Sequence, residues 1–84
     1  MRTNEEIKEI VEGAFQPLRC AAEIWDFGTQ LRFRVFDQND QSLFACPKLV
    51  LRTLQDDSQL VSVIAQARQH IEATGISLMP WDIV

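Results

Sequence analysis

A chain of 84 residues has room for one domain and no second. With 46% hydrophobic and 24% charged residues it has the balance of an ordinary globular protein. Its formal net charge of −4 argues against holding nucleic acid or an anionic membrane through overall charge, although a local basic patch stays open. No run approaches the roughly 20 apolar residues that a membrane-spanning helix needs. The first twelve residues are acidic and lack the apolar core of a signal peptide, so a cytoplasmic location is the expectation.

The first element reads as a helix. Thr3-Asn4-Glu5-Glu6 fits a capping box, in which the threonine hydroxyl and the glutamate carboxylate satisfy free N–H groups at a helix start. Ile7, Ile10, Val11 and Ala14 then recur at helical spacing, and Phe15 extends the stripe. Gly13 weakens the last turn, and Pro17 ends the helix by disfavouring helical backbone before it.

A hairpin follows. Leu18, Cys20, Ala22 and Ile24 alternate onto one face of a first strand, and Leu31, Phe33 and Val35 onto the same face of a second. A two-residue loop at Phe27-Gly28 pairs Ile24 with Leu31, Ala22 with Phe33 and Cys20 with Val35, with Gly28 supplying positive φ. That register also sets Glu23 opposite Arg32, a favourable cross-strand pair. The polar run from Asp37 to Gln41 is a turn, and Ser42 to about Val50 reads as a third strand. Its alternation is ambiguous, because Leu43/Ala45 and Phe44/Cys46 are both suited to burial. Pro47 cannot donate to a ladder, which places it on an edge or at the strand's end.

Asp56-Asp57-Ser58 offers a cap for a second helix, with Asp57 or Ser58 as the expected N-cap. Leu60, Val63, Ile64, Ala67 and Ile71 form its apolar stripe, and Gly75 is placed to terminate it. The predicted architecture is therefore α+β, in the order α-β-β-β-α: a three-stranded antiparallel meander with two helices packed on one face, over residues 1–75. Residues 76–84 form an apolar tail, expected to pack on the domain or on a second copy.

The open face of such a sheet carries Arg19, Ala21, Glu23 and Trp25 on the first strand and Arg32, Arg34 and Phe36 on the second. The same element order occurs in double-stranded RNA-binding domains, which meet phosphates with basic residues at the start of their second helix. Here that start reads Asp56-Asp57-Ser58-Gln59 and would repel phosphate. Single-strand binding needs aromatic platforms and cations, for which Trp25 and Phe36 with Arg19, Arg32 and Arg34 are the candidates. Against it stands the neutralisation of Arg32 by Glu23.

Catalysis finds no parts. His70 is the only histidine and lies on the flank of a helix stripe, while Ser62 is two turns away on the same helix. Cys20 belongs to the inward face, and the Asp56-Asp57 pair is a helix cap. One histidine and two separated cysteines cannot supply zinc ligands at standard spacing, and three scattered glycines make no phosphate loop. Cys20 and Cys46 fall on strands one and three, about 9–10 Å apart and beyond disulfide reach. No enzyme, cofactor or small-molecule ligand is expected.

The chain resembles a family of short bacterial proteins, common in pseudomonads, known only as a domain of unknown function. The matching pieces are Phe15-Gln-Pro17-Leu18-Arg-Cys20, Arg34-Val35-Phe36-Asp37 and Val63-Ile64-Ala65-Gln-Ala67-Arg68, within a span from about Glu5 to Thr74. Where that family has Thr-Gly-Ile after the third strand, this chain has Pro47-Lys48-Leu49. The resemblance implies the element order and carries no activity or functional residue with it.

The residues thus point to a non-enzymatic interaction or regulatory domain, self-associating as a homodimer or binding another protein. Its binding residues would be Trp25, Arg32, Arg34 and Phe36 on the sheet and Trp81 in the tail, with association through the Pro47 edge or the tail as further routes. A nucleic-acid-binding module using Arg19, Arg32 and Arg34 with Trp25 and Phe36 is the alternative.

Overall fold

The computed structural model describes residues 2–83. Helix α1 (Asn4–Gly13) opens on the capping box read from the sequence: the Glu6 N–H donates to the Thr3 hydroxyl, and the Thr3 N–H donates to the Glu6 carboxylate. It buries Ile7 and Val11, and the chain leaving it buries Ala14 and Phe15. The peptide bond from Gln16 to Pro17 is cis.

Strands β1 (Arg19–Trp25) and β2 (Gln30–Phe36) pair antiparallel in the expected register, Ile24 with Leu31, Ala22 with Phe33 and Cys20 with Val35. The Thr29 N–H donates to the Asp26 carbonyl at 3.1 Å, so Phe27 and Gly28 are the two central residues of the turn. Both have positive φ, 56° and 79°, as a type I′ turn requires. Asp26 also has positive φ, 56°, which ends β1 one residue before the turn.

Strand β3 (Ser42–Val50) lies beside β2, giving the sheet order β1-β2-β3. Two bulges explain why its alternation was unreadable. Leu43 is the extra residue between the Val35–Phe44 and Phe36–Ser42 pairs, and Pro47 and Lys48 together oppose Arg32. Leu43 and Phe44 can therefore both be half-buried, which a regular period of two forbids. Pro47 sits in a bulge on an edge strand, where its missing N–H breaks no ladder bond. At the other edge, the Ala22 N–H donates to the Glu12 carboxylate of α1 at 3.0 Å.

A one-turn helix α2 (Leu51–Leu54), not anticipated from the sequence, follows β3 directly and buries both its leucines. Helix α3 (Asp57–Glu72) begins one residue earlier than expected. Its N-cap is Asp56, whose carboxylate accepts from the Ser58 N–H at 3.0 Å. Asp57 is instead the first helical residue and pairs with Arg2 at 2.9 Å. The helix ends at Glu72, and Gly75, at φ 95°, turns the chain away.

Helix α1 lies over β1 and β2, and α3 over β3. The core is sealed between helices and sheet by Phe15, Leu31, Phe33, Val35, Leu60, Ile64 and Ile71. The tail runs over the helical side. Ile76, Leu78, Trp81 and Ile83 are partly buried against this core, and the Met79 N–H donates to the Gln16 carbonyl at 2.9 Å. Arg68 of α3 locks the arrangement by donating to the Ala14 carbonyl and to the Met79 carbonyl. No helix among the described residues is long and apolar enough to cross a membrane.

Candidate functional site

Among the described residues no segment crosses the face of the sheet turned away from the helices, because the tail lies on the opposite side. Its surface follows from the register: Ala21 pairs with Arg34, which pairs with Ala45, so a row of two alanines flanks one arginine in the middle of β2. Around this row Phe36, Pro47, Glu23 and Arg32 stand taller, making a trough of about 660 Å³.

Four of the five predicted binding residues meet here. The Arg32 guanidinium pairs with Glu23 at 3.0 Å and lies 5.4 Å from the centre of the Trp25 ring. At the other end Arg19 covers the Phe36 ring at 4.2 Å and pairs with Asp40 at 3.1 Å. Both aromatics are thus half-buried beneath arginines, with cation–π attraction holding the guanidinium over Phe36. Arg34 differs. Its side chain is exposed and has no ion pair or hydrogen bond among the described residues. The fifth residue, Trp81, is elsewhere: it lines a groove of about 340 Å³ beside Ile10 and Gly13 of α1, on the helical side. The tail and the open sheet face are therefore separate surfaces. A tail of nine residues past Gly75 can turn either way, and the bonds from Arg68 decide it.

Sequence reasoning missed Phe27. It is fully exposed at the hairpin tip, in left-handed backbone where a bulky residue is disfavoured. The only signal in the chain was a phenylalanine beside the turn glycine.

The histidine and the two cysteines are placed for packing rather than chemistry. His70 is exposed and packs its ring on Phe44 at 5.3 Å. Among the described residues no group of His, Cys, Asp and Glu is placed to hold a metal ion. Cys20 and Cys46 are both free thiols on the inward side of non-adjacent strands. Burial, with Glu12 adding to it, pushes the Cys20 thiol up to about 12, and burial raises Cys46 as well. Folded protein at pH 8 is therefore expected to react slowly with iodoacetamide at both cysteines, Cys46 first and Cys20 only on unfolding; mass spectrometry of timed samples reads the order. The linkage has a definite sign. Above pH 9 the unfolded thiol of Cys20 ionises while the folded one does not, so stability falls as pH rises from about 9 toward 12.

No curated protein and no solved structure matches the chain. A family model matches residues 5–71, which takes in α1, the whole sheet, α2 and nearly all of α3. The chain belongs to the family described as "protein of unknown function (DUF1652)".

Proposed function

We propose that this is a non-enzymatic protein-interaction domain whose working surface is the open sheet face centred on Arg34. The observation that carries the reading is the contrast between three arginines on one face. Arg19 and Arg32 are paired with carboxylates and laid over aromatic rings, whereas Arg34 stands unpaired between Ala21 and Ala45. An unpaired guanidinium in a trough with small apolar side chains suits a partner carboxylate, which it can grip bidentately.

The same geometry weakens the nucleic-acid alternative. Base stacking on Phe36 requires Arg19 to leave its ring, and phosphate contacts by Arg19 and Arg32 require breaking their pairs with Asp40 and Glu23. One unpaired arginine on this face, in a chain of net charge −4, makes a poor polyanion site.

The test places a photo-crosslinking amino acid at Ala45, on the trough floor, in the full chain inside its native cells. A discrete protein adduct that fades with Arg34→Gln is the expected result. Adducts to nucleic acid, or protein adducts indifferent to Arg34, would sink the proposal.

A further inference from the structure

The hairpin tip is built to hold one side chain out. Thr29 fixes the turn by donating to the Asp26 carbonyl from both its N–H and its hydroxyl, at 3.1 and 2.7 Å. Asn4 at the start of α1 donates to the Gly28 carbonyl at 3.1 Å, and the Leu51 N–H at the start of α2 donates to the Thr29 carbonyl at 3.0 Å. Into this braced turn the sequence puts Phe27, fully exposed and at φ 56°. Asparagine would suit the position far better, since Asn-Gly is the preferred pair for a type I′ turn. A residue that breaks a local folding rule with no packing return has its reason outside the folded monomer.

We infer that Phe27 is the anchor of a two-fold homodimer, inserted into the open-face trough of a second copy. The inference rests on the proposed role of that face and names its occupant. The trough supplies Ala21, Ala45 and Pro47 as apolar contacts. Charge matches as well, for Asp26 adjoins Phe27 at the tip and the unpaired Arg34 sits in the trough.

The spacing permits reciprocal exchange. Stack two copies face to face and antiparallel, with the two-fold axis level with the Ile24–Leu31 pair. Position 27 of each copy then falls level with the Ala21–Arg34 pair of the other, since both lie three residues from the axis along β1. The Glu23–Arg32 pair of one copy faces the Trp25–Gln30 pair of the other, so no arginine meets its own counterpart. The interface is isologous and closes at two copies.

The experiment is light scattering on the full chain across a concentration series, with amide hydrogen exchange measured at both ends of the series. Wild-type protein is expected to form a dimer, with Ala21, Arg34 and Ala45 protected in it. Phe27→Asn is expected to weaken dimerisation by about a hundredfold, the loss of a buried aromatic anchor. Measured at a concentration where both proteins are monomeric, it should also raise Tm by about 5 °C, because the left-handed strain is relieved. Arg34→Gln, on an exposed side chain, is expected to weaken the dimer about tenfold without altering the Tm of the monomer. A wild-type chain that stays monomeric at millimolar concentration overturns the inference. So does a Phe27→Asn variant that dimerises as well as wild type: if the sheet face is then still protected, the proposed function stands while the anchor falls. If dimerisation leaves the face unprotected, both fall.

Discussion

Truncation of Phe15 to alanine is expected to lower stability by about 3–5 kcal/mol, the usual cost of deleting a buried aromatic ring. Phe15 is completely buried, where the chain leaves α1 for β1. Its ring stacks on Phe33 at 5.6 Å, Phe33 meets Phe44 at 5.8 Å, and Phe44 meets His70 at 5.3 Å. The four rings form a row from the end of α1 across the sheet to α3, so a hole at one end loosens the contact between two layers. Small domains have only about 5–15 kcal/mol of stability in all, and the variant should unfold in little urea. Phe15→Leu, closer in volume, is expected to cost less than half as much. Urea midpoints of the two variants decide the matter, and a loss below about 1 kcal/mol for Phe15→Ala would contradict this core.

Arg68→Ala is the second large effect, expected at about 2–3 kcal/mol, because its charged guanidinium serves two carbonyls at once. The Ala14 carbonyl closes α1 and is part-buried, so losing this donor costs more there than at the exposed Met79 carbonyl in the tail. Residues 76–83 have no regular secondary structure, and besides the apolar contacts of Ile76, Leu78, Trp81 and Ile83 they are fastened by Arg68 and the Met79–Gln16 bond. The variant is therefore expected to release it as a unit, exposing Ile76, Leu78 and Trp81. Hydrogen exchange at the Met79 amide reports release directly, and exchange as slow as in wild type would refute this role for Arg68. Arg68→Lys should not rescue, because an ammonium on a flexible stem lacks the planar fork that spans both acceptors.

The hairpin was legible because alternation, turn glycine and the Glu23–Arg32 charge pair all specified one register. The third strand was legible in extent and opaque in phase, since each bulge shifts the period and the sequence carries no mark of the shift except Pro47. Helix α2 gave no signal at all: four residues are too few for periodicity, and Val50 offers no capping side chain. The run Asp56-Asp57-Ser58 presents three acceptors in succession, and which one caps α3 depends on where α2 releases the chain. Of the candidate site, alternation alone put Trp25, Arg32, Arg34 and Phe36 together. The Arg19–Asp40 pair depends on how the turn after β2 folds, and the prominence of Phe27 depends on backbone φ, neither of which composition encodes.

The Glu12 carboxylate held against the Ala22 amide has a consequence for the crowded cell. A three-stranded sheet has two borders, and an exposed border invites another chain to add itself, the first step toward fibrils. On the β1 border an acceptor from the chain's own helix already occupies the central one of the outward amides that an incoming strand would need. On the β3 border two bulges and a proline spoil the straight ladder. The sheet is thus shielded from runaway edge-to-edge polymerisation, and an interface on its broad face can be sticky without the chain becoming prone to amyloid.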